Sequence, residues 1–184
     1  NLPSPIAGYT SVAASEYLTK GVKADGSIVG WGDDRNPPMP NTGFMAIAVG
    51  FDHSLGLKVD GSILGWGSNG FGEINVPAPN TDFTAVAAGE YHSLGLKLDG
   101  SIDAWGSNPH GVPAPNAGFL AISAYDQHNL GLRADGSIVA WGDDEYGLIE
   151  VPVPNVNFAA IATGTNHSLG LKVDGSIVGW GNND

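Results

Sequence analysis

The chain has 184 residues, enough for one domain with a sizeable core, and its 42% hydrophobic content separates it from disordered sequences despite 28 glycines and 12 prolines. Seven Lys and Arg against 19 Asp and Glu give a formal charge of −12, which argues against nucleic acid as a partner because phosphate binding relies on clustered basic residues. There is no cysteine, hence no disulfide and no thiolate metal site; no apolar run approaches the ~18 residues of a membrane span, and no targeting segment is visible.

A Trp-Gly pair recurs at Trp31, Trp66, Trp105, Trp141 and Trp180, at spacings of 35, 39, 36 and 39 residues. Such a period marks a repeat architecture. The first unit is the least regular: Ser15, Leu18 and Lys20 stand where the others carry Gly, His and Leu. Lys20 points into a blade face unless its ammonium reaches outward along its apolar stem, and the sequence leaves open whether this unit is a softened closure blade or a partner site. The second unit shows the pattern in full. FMAIAVG (44–50) reads as a first strand and HSLGLKV (53–59) as a second, with Leu55 and Leu57 on one face. SILGWG (62–67) is apolar on both faces, as in a strand covered on both sides. An Asp-Gly pair separates the last two strands in every unit, at 25–26, 60–61, 99–100, 135–136 and 174–175, and predicts a hairpin with a type I′ turn. A short fourth strand is expected around each Val-Pro-x-Pro segment.

The last unit stops after GWGNND, and the first residues supply what it lacks: NLPSPIAGYTSVAA matches the NPPMPNTGFMAIA that follows Trp31 almost position for position. Sheets apolar on both faces, with chain ends that complement each other, fit blades around an axis. The pattern therefore predicts an all-β, five-bladed β-propeller, closed by the N-terminal strand completing the last blade. Its repeats run over about 6–40, 41–79, 80–115, 116–154, and 155–184 with 1–5, as one domain over 1–184.

Catalytic and cofactor motifs do not survive inspection. His53, His92, His128 and His167 repeat, but on second strands ~10 Å from the axis neighbours stand ~12 Å apart, against zinc–nitrogen bonds of about 2 Å. These rings are expected to hydrogen-bond within their own blades. His-Ser neighbours point to opposite sides of a strand and cannot act as base and nucleophile for each other. Gly65–Gly70 formally matches a dinucleotide fingerprint, but the helix that motif requires does not follow. No catalytic residue, enzyme activity or cofactor is expected. Asp33, Asp34, Asp143, Asp144 and Glu145 are weak calcium candidates, since adjacent carboxylates alone do not supply the six to eight oxygens that calcium takes.

The phrase G-x-x-H-S-L-G-L-K-x-D-G-S-I-x-x-W-G-x-N, as at Gly89–Asn108, resembles the regulator of chromosome condensation repeat. That resemblance covers essentially the whole chain. It implies a propeller, typically of seven blades in known members, acting mostly by binding other proteins. The short units are more similar to compact bacterial versions, which include secreted propellers that inhibit β-lactamases, and lean towards an extracellular or cell-surface setting. In those inhibitors the resemblance places partner contacts on aromatics just before the His-Ser position. Here Tyr17, Phe51 and Tyr91 stand there, while Gln127 and Asn166 depart from the pattern.

Strand alternation puts the Asp-Gly hairpins on one end of the ring and the loops after Trp-Gly on the other. The hairpin end is nearly uniform. The loop end varies in length and collects Glu16, Asp33, Asp34, Asp52, Glu90, Asp126, Asp143, Asp144, Glu145 and Asp184 against Arg35, with Tyr17, Phe51, Phe71, Tyr91, Tyr125 and Tyr146 interleaved. Aromatics among loops on a rigid scaffold favour recognition. The sequence therefore predicts a non-enzymatic, monomeric protein-binding module, with Tyr17, Phe51, Tyr91, Tyr125, Tyr146, Glu16, Asp52, Glu90 and Asp126 meeting a partner with a basic surface. A carbohydrate-binding propeller and a structural extracellular domain are the alternatives.

Overall fold

The computed structural model describes residues 7–32, 37–107 and 111–182. The chain folds as an all-β, five-bladed propeller built from three-stranded antiparallel sheets taken in chain order. The first blade holds β1 (Tyr9–Ala14), β2 (Leu18–Lys23) and β3 (Ile28–Gly32), and the second β4 (Phe44–Val49), β5 (His53–Lys58) and β6 (Ile63–Gly67). The third holds β7 (Phe83–Ala88), β8 (His92–Lys97) and β9 (Ile102–Gly106), and the fourth β10 (Phe119–Tyr125), β11 (His128–Arg133) and β12 (Ile138–Gly142). The fifth holds β13 (Phe158–Thr163), β14 (His167–Lys172) and β15 (Ile177–Gly181). The first strand of every blade lines a central channel of about 310 Å³, walled largely by alanine and β-branched residues such as Ala14, Val49, Ala88, Ala124 and Ala162.

Two local expectations need correction. The Asp-Gly hairpins are not type I′. In the second blade Gly61 takes a φ of 80° but Asp60 has no positive φ. The Gly61 N–H donates to Lys58 C=O at 3.0 Å and the Lys58 N–H to Ser62 C=O at 2.9 Å, giving a three-residue loop of a type I turn followed by a left-handed glycine. The serine after the glycine decides this. Its N–H and hydroxyl both donate to Asp60 Oδ1, at 3.0 and 2.6 Å, and these bonds hold the carboxyl below its ordinary range.

Nor do the Val-Pro segments form a fourth strand among the described residues, because proline has no N–H to give a ladder. A side chain does the pairing instead. Asn80 Oδ1 accepts the Ile63 N–H and Asn80 Nδ2 donates to the Ile63 carbonyl, both at 2.7 Å. Asn41 clamps Ile28, Asn116 clamps Ile102 and Asn155 clamps Ile138 in the same way. Each clamp ties the outer strand of one blade to the entrance of the next.

The apolar cores lie between blades. Leu55, Leu57 and Ile63 of the second blade meet Phe83, Ala88 and Trp105 of the third. Leu94, Leu96 and Ile102 meet Phe119 and Trp141; Leu130, Leu132 and Ile138 meet Phe158 and Trp180. Each such leucine or isoleucine contributes about 1.5–3 kcal/mol on full burial, so a junction outweighs any single hydrogen bond in it. In the first junction Leu18, Val22 and Ile28 pack on Phe44 and Trp66. Lys20 does not turn outward there: it is 1% exposed, with its ammonium 5.9 Å from the centre of the Trp66 ring. A cation over an indole face compensates part of its desolvation.

The face that the last blade turns away from the fourth differs. Residues 1–5, expected to complete the last blade, lie outside the described residues. Among the described residues, Leu169, Leu171 and Ile177 are 38%, 39% and 68% exposed, where Leu55, Leu57 and Ile63 are 0%, 0% and 3%. A Cβ at Gly175 would meet nothing within 4 Å, whereas one at Gly61 would lie 3.1 Å from the Asp82 nitrogen of the next blade.

The asymmetry is measurable by urea unfolding. Leu94→Ala is expected to cost about 2–5 kcal/mol, as for other fully buried leucines, and Leu169→Ala less than half as much. Equal costs would mean that the last blade is covered like the others.

Candidate functional site

The turns between first and second strands converge at the loop end of the channel. They surround a cavity of about 190 Å³ lined by Ser15, Glu16, Gly50, Phe51, Ala88, Gly89, Glu90, Tyr125, Asp126 and Thr165. Glu16, Phe51, Glu90, Tyr125 and Asp126, all singled out in sequence, are thus brought together. Tyr17 packs edge-on against Phe51, ring centres 5.1 Å apart, and joins the second blade to the first at the rim. Phe71 and Tyr91 form a second pair at 4.8 Å. Tyr146 stands apart from the cavity lining, half exposed on the short 3-10 turn Glu145–Gly147, with a φ of 72°.

Charge is concentrated here. The Tyr17 and Tyr91 phenols are raised chiefly by hydrogen bonds to the neighbouring Glu16 and Glu90, and Tyr146 by one to Glu145. The Asp126 carboxyl is pushed up to about 6 by burial, by a hydrogen bond with Glu90, and by the charges of Glu90, Asp143 and Glu145. The Glu90 N–H also donates to the Asp126 carbonyl at 2.8 Å, so backbone as well as side chains fixes the pair. Asp52 bears on this group electrostatically, acting on both Tyr17 and Tyr91.

Glu73 was not among the residues singled out in sequence. Its carboxylate, 1% exposed, accepts the Phe71 N–H at 2.9 Å and so sets the position of that ring beside Tyr91. Its carbonyl accepts from Trp105 Nε1 at 2.7 Å and from the Ser93 hydroxyl at 2.8 Å. The carbonyl's role recurs, Leu148 C=O accepting from Trp180 Nε1 at 2.8 Å in the matching loop, but the carboxylate has no repeated pattern that could have revealed it. Among the weak calcium candidates, Asp33 and Asp34 lie outside the described residues. Asp143 Oδ1 accepts the Glu145 N–H, and Asp144 Oδ1 the Ile149 N–H, both at 3.2 Å, which uses them as turn caps. Among the described residues no three His, Asp or Glu side chains are placed to share a metal ion.

The repeated histidines sit just behind the cavity, and they bridge blades rather than bonding within their own. His53 Nε2 lies 3.0 Å from Ser93 Oγ, His92 Nε2 2.6 Å from Asn129 Oδ1, and His128 Nε2 2.9 Å from Ser168 Oγ. The partner is offered by the next blade because its second strand begins with Ser or Asn one residue after its own histidine. Burial lowers all three rings, His53 and His128 to about 4.

The model of the regulator of chromosome condensation (RCC1) repeat matches residues 46–73, 83–112, 119–148 and 158–184, together more than half of the chain. No curated protein matches it in sequence. Among solved structures, Prp20p from Saccharomyces cerevisiae is 18% identical over 94% of this chain and 58% of its own, with a TM-score of 0.80. The ectodomain of the receptor kinase CR4 from Physcomitrella patens is 23% identical over 96% of this chain and 52% of its own, at 0.78. The ectodomain of ACR4 from Arabidopsis thaliana is 23% identical over 97% and 66%, also at 0.78. The chain thus spans about half to two thirds of the length of these structures.

The histidines predict how stability responds to pH. Their folded values near 4 lie below the ordinary 6.5, so the unfolded chain binds more protons as pH falls through 6.5, and stability is lost towards pH 4. Asp126 opposes this. Its folded value near 6 lies above 3.8, so its contribution is present at low pH and lost as pH rises through 6. The urea midpoint is therefore expected to fall from pH 7.5 to 4.5, by less in His128→Asn and by more in Asp126→Asn. A midpoint unchanged across that range in all three proteins would contradict the assignment.

Proposed function

The chain belongs to the regulator of chromosome condensation repeat family, and from that premise we propose that it is a non-enzymatic protein-binding module that engages its partner through the loop end. The propeller fold of this family commonly mediates protein binding. Among the similar structures, Prp20p is described with its binding properties to Gsp1p and histones, and the same yeast protein has been seen bound to Kap60.

One observation carries the reading for this chain: two aromatic pairs, Tyr17–Phe51 and Phe71–Tyr91, stand among the turns of the loop end, and the first reaches an acidic cavity there through Phe51. Tyr17 is 49% exposed and Phe71 59%, although each already has an aromatic neighbour. Large aromatics left at a surface are favoured anchors, each worth about 2 kcal/mol or more where a partner buries them. Among the described residues the hairpin end exposes aliphatic side chains, Val59, Leu98 and Val173, but no aromatic. Its cations lie over phenylalanines of their own blades, Lys97 at 4.6 Å from the Phe83 ring and Arg133 at 5.1 Å from that of Phe119. The acidic loop end favours a basic partner surface, and the field it creates speeds encounter at low salt.

The test is affinity capture with the wild-type chain beside a Tyr17→Ala/Phe51→Ala/Tyr91→Ala variant, followed by binding kinetics for any protein retained. Loss of one such anchor is expected to weaken binding about thirtyfold, with an association rate that falls as salt is raised. A partner held equally by both chains and indifferent to salt would place the interface elsewhere.

A further inference from the structure

The central cavity is too small for a drug-sized ligand, whose pockets run to about 300–1,000 Å³; at about 190 Å³ it matches a single side chain. Three carboxylates line it, Glu16, Glu90 and Asp126, together with the rings of Phe51 and Tyr125, and no Lys or Arg is among its lining residues. Acids alone would not define a ligand. A second feature is independent of them.

His53 is 1% exposed, and its Nδ1 has no hydrogen-bond partner. Its state follows from its neighbours. The single Ser93 hydroxyl hydrogen is given to the Glu73 carbonyl at 2.8 Å, so Ser93 Oγ accepts from His53 Nε2 at 3.0 Å. The ring therefore carries its proton on Nε2 and presents a bare lone pair at Nδ1. That edge stands against the cavity wall, since a Cβ on Gly50, one of the lining residues, would lie 2.6 Å from Nδ1. Gly89 opens the wall in the same way in front of His92, whose Nδ1 would also lie 2.6 Å from a Cβ there. The cavity thus presents carboxylate acceptors, with an unpaired imidazole nitrogen behind its wall, and has no cationic side chain of its own to meet them.

We propose that this cavity receives one basic side chain, an arginine or a lysine, from the surface of the protein partner, its stem against Phe51 and Tyr125 and its N–H donors towards Glu90 and Asp126, beside the wall that backs onto the His53 edge. The proposal rests on the loop end being the binding surface and adds the chemistry of the group that enters it. A guanidinium suits the site better than an ammonium, because its planar fork offers five donors to several acceptors at once. Aromatic faces favour either cation over a neutral group of the same shape.

Below about pH 6, entry of a cation must displace the proton that Asp126 holds with Glu90. The charged and titratable groups around that carboxyl are Glu90, Asp143 and Glu145 acting on it directly, with Glu16 in the same cavity lining, Asp52 acting on the neighbouring tyrosines, and the neutral His53 and His92 behind the wall. All the carboxylates favour the cation and none competes with it.

The experiment is an NMR titration of the full chain with N-acetyl-arginine methylamide, with the lysine counterpart, and with the uncharged citrulline counterpart as control. The arginine probe is expected to shift the amides of Gly50, Gly89, Glu90, Asp126 and Thr165. Its binding should weaken about tenfold from pH 7.5 to pH 5, the factor set by a competing proton with a pKa of about 6. Citrulline should leave these signals in place, and a Glu90→Gln/Asp126→Asn variant, with its other signals unchanged, should lose the response. Equal shifts with citrulline, or shifts confined to other regions, would overturn the proposal. So would silence with both cationic probes. If the probes fail while a captured partner still depends on Tyr17, Phe51 and Tyr91, the loop-end reading stands and the basic side chain is wrong. If the probes bind but no partner depends on those rings, the cavity remains a cation site without the interface.

Discussion

Everything in this molecule depends on the contact between one blade's leucine-leucine-isoleucine face and the next blade's aromatic front. A three-stranded sheet of this size has no interior of its own, so its apolar face must be covered by a neighbour. Leu94, Leu96 and Ile102 become core only because Phe119 and Trp141 lie over them. The glycine between the two leucines is part of the same contact. A Cβ at Gly95 would lie 2.6 Å from Phe83 Cδ1, so the second strand needs a residue without a side chain for the first strand's ring to lie flat across it. The polar parts, asparagine clamps and histidine bridges, are then satisfied at the same seams. They add direction to an association that burial drives.

Because the seams carry stability, the ends of the ring are released for other uses, and they diverge in opposite ways. The hairpin end spends its charge internally, each Asp held by the serine two residues on and the cations laid over phenylalanine rings. The loop end leaves aromatics and carboxylates unspent around one cavity. Glu73 shows how the ends communicate with the seams. One buried residue accepts from Trp105 and Ser93 in the junction and fixes Phe71 at the surface, so the position of a rim ring is set by blade packing rather than by a mobile loop.

Much of the fold was legible because it is periodic. The recurrence of Trp-Gly, the Asp-Gly hairpins and the alternation of leucine with glycine gave the blades, their order and their number. What was misread is what periodicity does not encode. The hairpin type turned on the serine that follows the glycine, and the absent fourth strand on prolines whose pairing role passes to an asparagine side chain seventeen positions from its target in Asn80. The histidines were placed correctly on their strands, but a bond to the next blade is invisible in a single unit. At the candidate site, Tyr17, Phe51 and Tyr91 were singled out by their place before the second strand, and the three carboxylates of the cavity by the charge of the loop end. Glu73 was not, since the matching position of the fourth unit is Leu148: the carbonyl's bond to the tryptophan recurs there, but the carboxylate does not.

The most direct test of the loop end as the binding surface is hydrogen exchange on the chain with and without a partner retained by capture, resolved to short peptides. Protection confined to the turns at 15–17, 50–52, 89–91 and 125–127, with the Asp-Gly hairpins exchanging as they do in the free chain, is the predicted result. Protection of the hairpins at 59–61, 98–100 and 134–136, with those turns unchanged, would contradict it.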